Sequence, residues 1–298
     1  MAEGALLEPA FLRRLERLRL LARRRFAGAA GRRRSTRRGQ SVELADHRAY
    51  VPGDDVRRID WNAYARLEEL VLRLFVAEED LTLHLFLDLS RSMRGEKLEQ
   101  AKRLAAALAY VGLTGSERVA VAPFAATALA PLPPSRGRRR VGTVLRHLEA
   151  LAPPAGDVGG TDLRRSVEAF LARRPRPGLV ALISDLLDPA GFERPLDRLA
   201  AAGHEPVLFH VLGADELDPG AALVDAEGGA DLALVDAERG RRVEVTLDAA
   251  VLGAYRRRLT RFLAAVDGYA AKRGLVCVRV GGEVAFEDAL LTYLRGAA

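Results

Sequence analysis

Apolar and polar residues follow two different rhythms along this 298-residue chain, and the change falls near residue 80. Upstream, Phe11, Leu15, Leu18 and Ala22 recur at helical spacing, which predicts an amphipathic helix over about residues 8–28 with arginines around its remaining face. The helix runs out in GAAGRRRSTRRGQ, where glycine, hydroxyl residues and like charges predict a loop. From Ser41 to Asp80 the pattern reads as short extended pieces and turns, including Pro52-Gly53-Asp54-Asp55, and Trp61 is expected to pack inside this small subdomain.

After Asp80 the pattern becomes strand and helix in alternation. LTLHLFLDL, RVAVAPF, GLVALISDL, EPVLFHVL and LVCVRV are nearly continuous apolar runs, the mark of strands covered on both faces. Helical periodicity fills the intervals near residues 95–111, 138–150, 162–173, 189–202, 248–272 and 285–295. The fold class this predicts is α/β, one doubly wound and mostly parallel, Rossmann-like sheet with a small N-terminal helical and β-rich subdomain. The expected divisions are a basic helix and loop over 1–40, an extended subdomain over 41–80, and the sheet domain over 81–298. Leu-Val-Asp-Ala-Glu occurs at 223 and again at 234, around Gly228-Gly229, and predicts a hairpin inserted near 221–246.

Composition narrows the function classes. An apolar content of 49% supports a full core. No stretch of eighteen uninterrupted apolar residues and no secretory leader pattern is present, so the expected location is cytoplasmic. Cys277 is alone, within LVCVRV, which excludes an internal disulfide or a cysteine zinc site and leaves it a small strand hydrophobe. Residues 1–40 hold twelve arginines against Glu3, Glu8 and Glu16, giving +9 of a total of +6, so the remainder is −3. Only Lys97, Lys102 and Lys272 are lysines, and arginine dominance of this kind fits a GC-rich coding bias as well as a binding surface.

The chemistry gathers at strand ends. Asp88, Ser90 and Ser92 alternate as the first central strand leaves the sheet, where open α/β sheets form their ligand crevices. Thr161, in Gly159-Gly160-Thr161-Asp162, and Asp185, ending ALISDL, are expected at the same edge. Two carboxylates and three hydroxyls, with no histidine or cysteine, suit Mg²⁺, with Mn²⁺ as the alternative ion, and leave a coordination position for an incoming carboxylate. The plainer reading is that Ser90, Ser92 and Thr161 cap helices, and Asp157 and Asp162 are read as local turn or cap residues.

Asp-x-Ser-x-Ser at 88–92, followed by Thr161 and Asp185, resembles the metal-ion-dependent adhesion site of von Willebrand factor A domains. RAYVPGDDVRRIDWNAYAR, running on into LFLDLSRSM, resembles the bacterial family called domain of unknown function 58. These resemblances imply a von Willebrand factor A-type sheet domain that acts beside MoxR-type AAA+ ATPases as an adaptor or in protein maturation, gripping an acidic side chain of its partner through the ion.

Other classes remain open. A Mg²⁺-dependent phosphatase or hydrolase would also want a strand-end aspartate, although Ser90 stands where a second aspartate of a haloacid-dehalogenase-type site would be and no catalytic lysine stands out. Nucleic-acid binding through residues 13–38 would need aromatic stacking partners, and Phe26 is the only aromatic there. The chain has no Gly-x-Ser-x-Gly elbow, P-loop, Gly-x-Gly-x-x-Gly or His-Glu-x-x-His pattern. The non-enzymatic, metal-dependent interaction module is the leading expectation.

Overall fold

Buried on both faces, the apolar runs have no choice but to lie inside a layered structure. The computed structural model of the chain describes residues 6–29, 44–52, 54–75, 82–115, 117–126, 129–154, 161–219, 230–235, 242–281 and 284–296. The elements run α1 (Pro9–Ala29), β1 (Leu44–Ala49), α2 (Trp61–Leu67), β2 (Val71–Phe75), β3 (Thr82–Asp88), α3 (Glu96–Thr114), β4 (Arg118–Phe124), β5 (Leu132–Arg136), α4 (Val141–Ala150) and α5 (Leu163–Ala172). They continue with β6 (Gly178–Ser184), α6 (Glu193–Ala201), β7 (Glu205–Val211), α7 (Ala214–Leu217), β8 (Ala230–Val235), β9 (Arg242–Leu247), α8 (Ala249–Arg273), β10 (Cys277–Val280) and α9 (Phe286–Gly296).

Six strands form one sheet in the order β10-β7-β6-β3-β4-β5, all parallel except β5, which pairs antiparallel with β4. Odd-numbered residues of β3 and β6, such as Leu85 and Ile183, pack against α1, α3, α4 and α9, while Phe86 and Leu182 face α5, α6 and α8. The sheet is therefore the middle of three layers. Winding runs from β3 outward to β4, then restarts at β6 on the other side of β3, and the helices α3 and α6 that follow β3 and β6 lie on opposite faces. That reversal opens a crevice beyond the carboxyl ends of β3 and β6. At the opposite, amino-terminal ends of the two strands the close pairing depends on Gly178, because a Cβ at that position would stand 2.2 Å from the carbonyl oxygen of Thr82.

The chain divides into two compact units, residues 1–26 with 81–298 and residues 27–80. This differs from the division read from the sequence, which set residues 1–40 apart. The physical reason is the apolar stripe of α1: Phe11, Leu15 and Leu18 are buried in the sheet core, Tyr110 of α3 donates a 2.5 Å hydrogen bond to Glu16, and Arg14 pairs with Glu287 of α9. The side chain of Ala22 and the arginine run over 30–40 lie outside the described residues.

In the smaller unit β1 and β2 pair antiparallel, with Ile59, Ala63 and Leu72 buried. Tyr50 and Asp54 flank the expected turn, closed by Asp54 N–H to the Val51 carbonyl at 3.0 Å. Two expectations need correction. The segment after the turn holds a helix, α2, because Asp60 caps it by accepting from the backbone N–H of Asn62 and Ala63 at 3.0 and 3.2 Å. Trp61 heads that helix and is 59% exposed, meeting Tyr64 edge-on, so it is not a core residue of the subdomain.

β8 and β9 pair antiparallel as a hairpin between α7 and α8, while residues 220–229 and 236–241, which include both Leu-Val-Asp-Ala-Glu copies in whole or part, lie outside the described residues. Among the described residues no helix is long and apolar enough to cross a membrane.

Candidate functional site

Asp88 ends β3 with no exposed surface, and its carboxylate is held from two sides. The backbone N–H of Ser90 donates to Oδ1 at 2.8 Å, and the hydroxyl of Ser184 donates to Oδ2 at 2.6 Å. Burial pushes the Asp88 pKa up to about 7, helped by the negative charge of Asp185 and opposed by those two hydrogen bonds and by the Ser90 hydroxyl. A fully buried carboxylate near another, relieved only by neutral donors, is a site with a deficit of positive charge.

Ser90 and Ser92 stand together, hydroxyl to hydroxyl at 3.0 Å, in the short turn that follows β3. Ser90 occupies the capping position of that turn, yet its side chain makes no capping hydrogen bond. The plain capping role therefore does not account for it. Asp162, by contrast, caps α5 by accepting from Arg165 N–H at 2.8 Å, as expected. Asp157, Gly159 and Gly160 lie outside the described residues.

Thr161 is buried at the same edge. The next residue, Asp162, donates its N–H to the carbonyl of Ala125 just beyond β4, and Leu163 N–H donates to Asp188, beyond β6, at 2.7 Å. Since β3 lies between β4 and β6, the segment carrying Thr161 crosses the end of β3. Asp188, buried and absent from the sequence reading, fixes that crossing.

Asp185 follows β6 and is 1% exposed. Its Oδ1 accepts Leu187 N–H at 3.1 Å, its Oδ2 takes the ammonium of Lys97 at 2.7 Å, and its carbonyl accepts His210 Nε2–H at 3.1 Å. Leu186 is left with φ +58°, the left-handed region that a leucine rarely adopts, and its N–H is satisfied by Ser184 Oγ at 3.0 Å. Lys97, on the first turn of α3 and 6% exposed, also reaches Glu216 of α7 at 2.7 Å. Burial works against its charge, but the paired carboxylates outweigh that and hold its pKa above the ordinary lysine value.

Lys97, Ser184, Asp188 and Glu216 are the site residues that sequence reasoning missed. Register contained a signal for Ser184: Leu87 stands opposite Ile183, so the next positions are Asp88 and Ser184, side by side on one face. Nothing in the local pattern marks Lys97 apart from the scarcity of lysine in an arginine-rich chain. Its ammonium stands beside Asp185, although no lysine stands out in the sequence pattern.

The set fits a small hard cation by its chemistry, with hydroxyl and carboxylate oxygens and a surplus of buried negative charge. Among the described residues, no three His, Cys, Asp or Glu side chains are gathered as a metal shell, so such an ion would depend on the hydroxyls and on water. As for acid–base chemistry, His210 spends Nε2 on a backbone carbonyl and Ser90 meets another serine, so neither forms a nucleophile–base pair with the other.

The family model described as "Protein of unknown function DUF58" matches residues 46–263. The chain belongs to the DUF58 family. Relatives include uncharacterized proteins of Mycobacterium tuberculosis and Mycobacterium bovis, each 33% identical over 218 residues, covering 72% of this chain and 66% of the relative. This DUF58 chain thus spans just under two thirds of the length of those relatives. Among solved structures, BatB from Bacteroides thetaiotaomicron is similar at 18% identity, covering 72% of this chain and 96% of that one with a TM-score of 0.46. An aerotolerance-related membrane protein from Bacteroides fragilis follows at 17% identity, 72% and 98% coverage and a TM-score of 0.42. Likeness at these scores is loose.

Proposed function

We propose that this DUF58 protein is a non-enzymatic interaction module whose crevice, beyond β3 and β6, holds one Mg²⁺ and through it an acidic side chain of a protein partner, in the manner of a von Willebrand factor A domain. Asp88, Ser90 and Ser92 are the groups that would hold the ion, Thr161 and Asp185 those that would complete the set directly or through water; Mn²⁺ is the alternative ion. Bound there, the ion supplies a Lewis-acidic positive centre for a carboxylate. The partner class the sequence resemblance points to is a MoxR-type AAA+ ATPase, with protein maturation or complex assembly as the setting.

One observation carries the reading: the wholly buried Asp88 carboxylate, beside Asp185, is relieved by neutral donors, the hydroxyls of Ser184 and Ser90 and the Ser90 backbone N–H. A divalent cation balances that charge where a protein hydrogen bond cannot. The test is calorimetric titration of Mg²⁺ and Mn²⁺ into the metal-free full chain, wild type beside Asp88→Ala, with a denaturation midpoint for each. Saturable binding lost in a folded Asp88→Ala chain is expected; equal isotherms would sink the site. Capture of a cognate AAA+ ATPase, lost in Asp88→Ala/Asp185→Ala, checks the partner.

Lys97 favours one second reading. A buried lysine 2.7 Å from a strand-end aspartate offers charge that a transferred phosphoryl group needs. Turnover of a generic phosphatase substrate, abolished by Asp88→Asn, would put that reading first.

A further inference from the structure

We infer that Lys97 is a resident cation of the crevice and the residue that decides which divalent ion enters it; the inference presupposes the divalent-ion reading above. Its ammonium lies 2.7 Å from oxygens of both Asp185 and Glu216, so one nitrogen stands where two carboxylates converge. The position is built. The lysine stem passes beside Gly213, where a Cβ would stand 3.4 Å from Lys97 Cδ, and Gly213 N–H in turn donates to the second oxygen of Glu216 at 2.8 Å. Glu216 is further fixed through its carbonyl, which accepts the Tyr255 hydroxyl of α8 at 2.7 Å.

Two consequences follow for an ion. With Asp88 ionised, Asp88, Asp185 and Glu216 against one ammonium leave two net negative charges, the charge of a single divalent ion. Lys97 also occupies Asp185 Oδ2 and Glu216 Oε1, so the protein oxygens left to a metal are few and are mostly hydroxyls. Mg²⁺ tolerates that because it keeps several of its waters, whereas Ca²⁺ wants six to eight oxygens and takes carboxylates readily. The lysine therefore disfavours Ca²⁺. Replacing it with a neutral side chain returns two carboxylate oxygens and one negative charge to the crevice.

The experiment titrates Mg²⁺ and Ca²⁺ separately into metal-free full-length wild type, Lys97→Met, Lys97→Gln and Lys97→Met/Glu216→Gln, by calorimetry and by the ion-induced shift of the melting temperature. Both single variants are expected to gain at least tenfold in Ca²⁺ affinity relative to Mg²⁺, and the double variant to lose most of that gain. Should Lys97→Met be poorly folded without an ion, a Ca²⁺-dependent rise in its melting temperature larger than that with Mg²⁺ reads the same preference. An unchanged Ca²⁺ to Mg²⁺ ratio in both single variants overturns the inference. Wild type that binds neither Mg²⁺ nor Mn²⁺ overturns the functional reading instead, and Ca²⁺ capture by Lys97→Met would still uphold Lys97 as the resident cation.

Discussion

Ser184 and Asp88 join β6 to β3 at the crevice: the serine hydroxyl donates to Asp88 Oδ2 at 2.6 Å while accepting Leu186 N–H at 3.0 Å. One side chain thus satisfies a buried carboxylate and a strained backbone. Ser184→Ala leaves both groups without that partner in a place that water does not reach. A loss of about 1–3 kcal/mol in urea denaturation is expected, since an orphaned buried polar group costs its full desolvation. A loss near zero would show that the two groups find other partners.

The strain at Leu186 is separable from its packing. The residue has φ +58° and is 3% exposed, so any truncation loses buried apolar contacts. Alanine and glycine lose nearly the same contacts, but only glycine adopts the left-handed region without a Cβ penalty. Leu186→Gly is therefore expected to be more stable than Leu186→Ala by about 1 kcal/mol, the reverse of their order at an ordinary strand position. Chemical denaturation of the two variants side by side gives the answer.

What the sequence made legible follows from where packing and pattern agree. β3, β4, β6 and β7 are covered on both faces, so their apolar runs announce themselves, and the strand-end aspartates stand out against them. β5, read LPPSR, is an edge strand paired on one side with two exposed prolines, and nothing in its pattern separates it from a loop. Trp61 misled because an isolated tryptophan argues for a core, whereas here it heads a short capped helix at the surface. Lys97 was invisible because its role depends on Asp185 and Glu216, 88 and 119 residues away along the chain.

α1 belongs to the core of the larger unit. Leu15 has no exposed surface, and Phe11 meets Phe286 of α9 with ring centroids 5.6 Å apart. Leu15→Ala is expected to cost about 2–5 kcal/mol of that unit's stability, the range for emptying a closed leucine site. Were α1 an independent appendage, the same change would leave the denaturation midpoint where it was.

The crevice sets stability against metal capture, and pH separates the two. His84 and His210 are held down to about 4 by burial, against 6.5 when unfolded, so their contribution is complete above pH 6.5 and is lost as pH falls toward 4, roughly 3 kcal/mol each at most. Asp88 runs the other way: raised from 3.8 to about 7, it favours the fold at low pH, and that advantage is lost as pH rises through the same range. Two histidines against one aspartate leave a net loss with acid between pH 6.5 and 4. Asp88→Asn removes the opposing contribution. The metal-free variant is therefore expected to gain about 1–3 kcal/mol at pH 8, where ionised Asp88 costs most, and to lose stability more steeply than wild type on acidification. It should also lose the rise in melting temperature that Mg²⁺ gives the wild type. Urea midpoints at pH 5, 6.5 and 8, with and without Mg²⁺, test all three. A variant no more stable at pH 8 would mean that Asp88 is not under electrostatic strain, and the argument for a cation beside it would lose its main support.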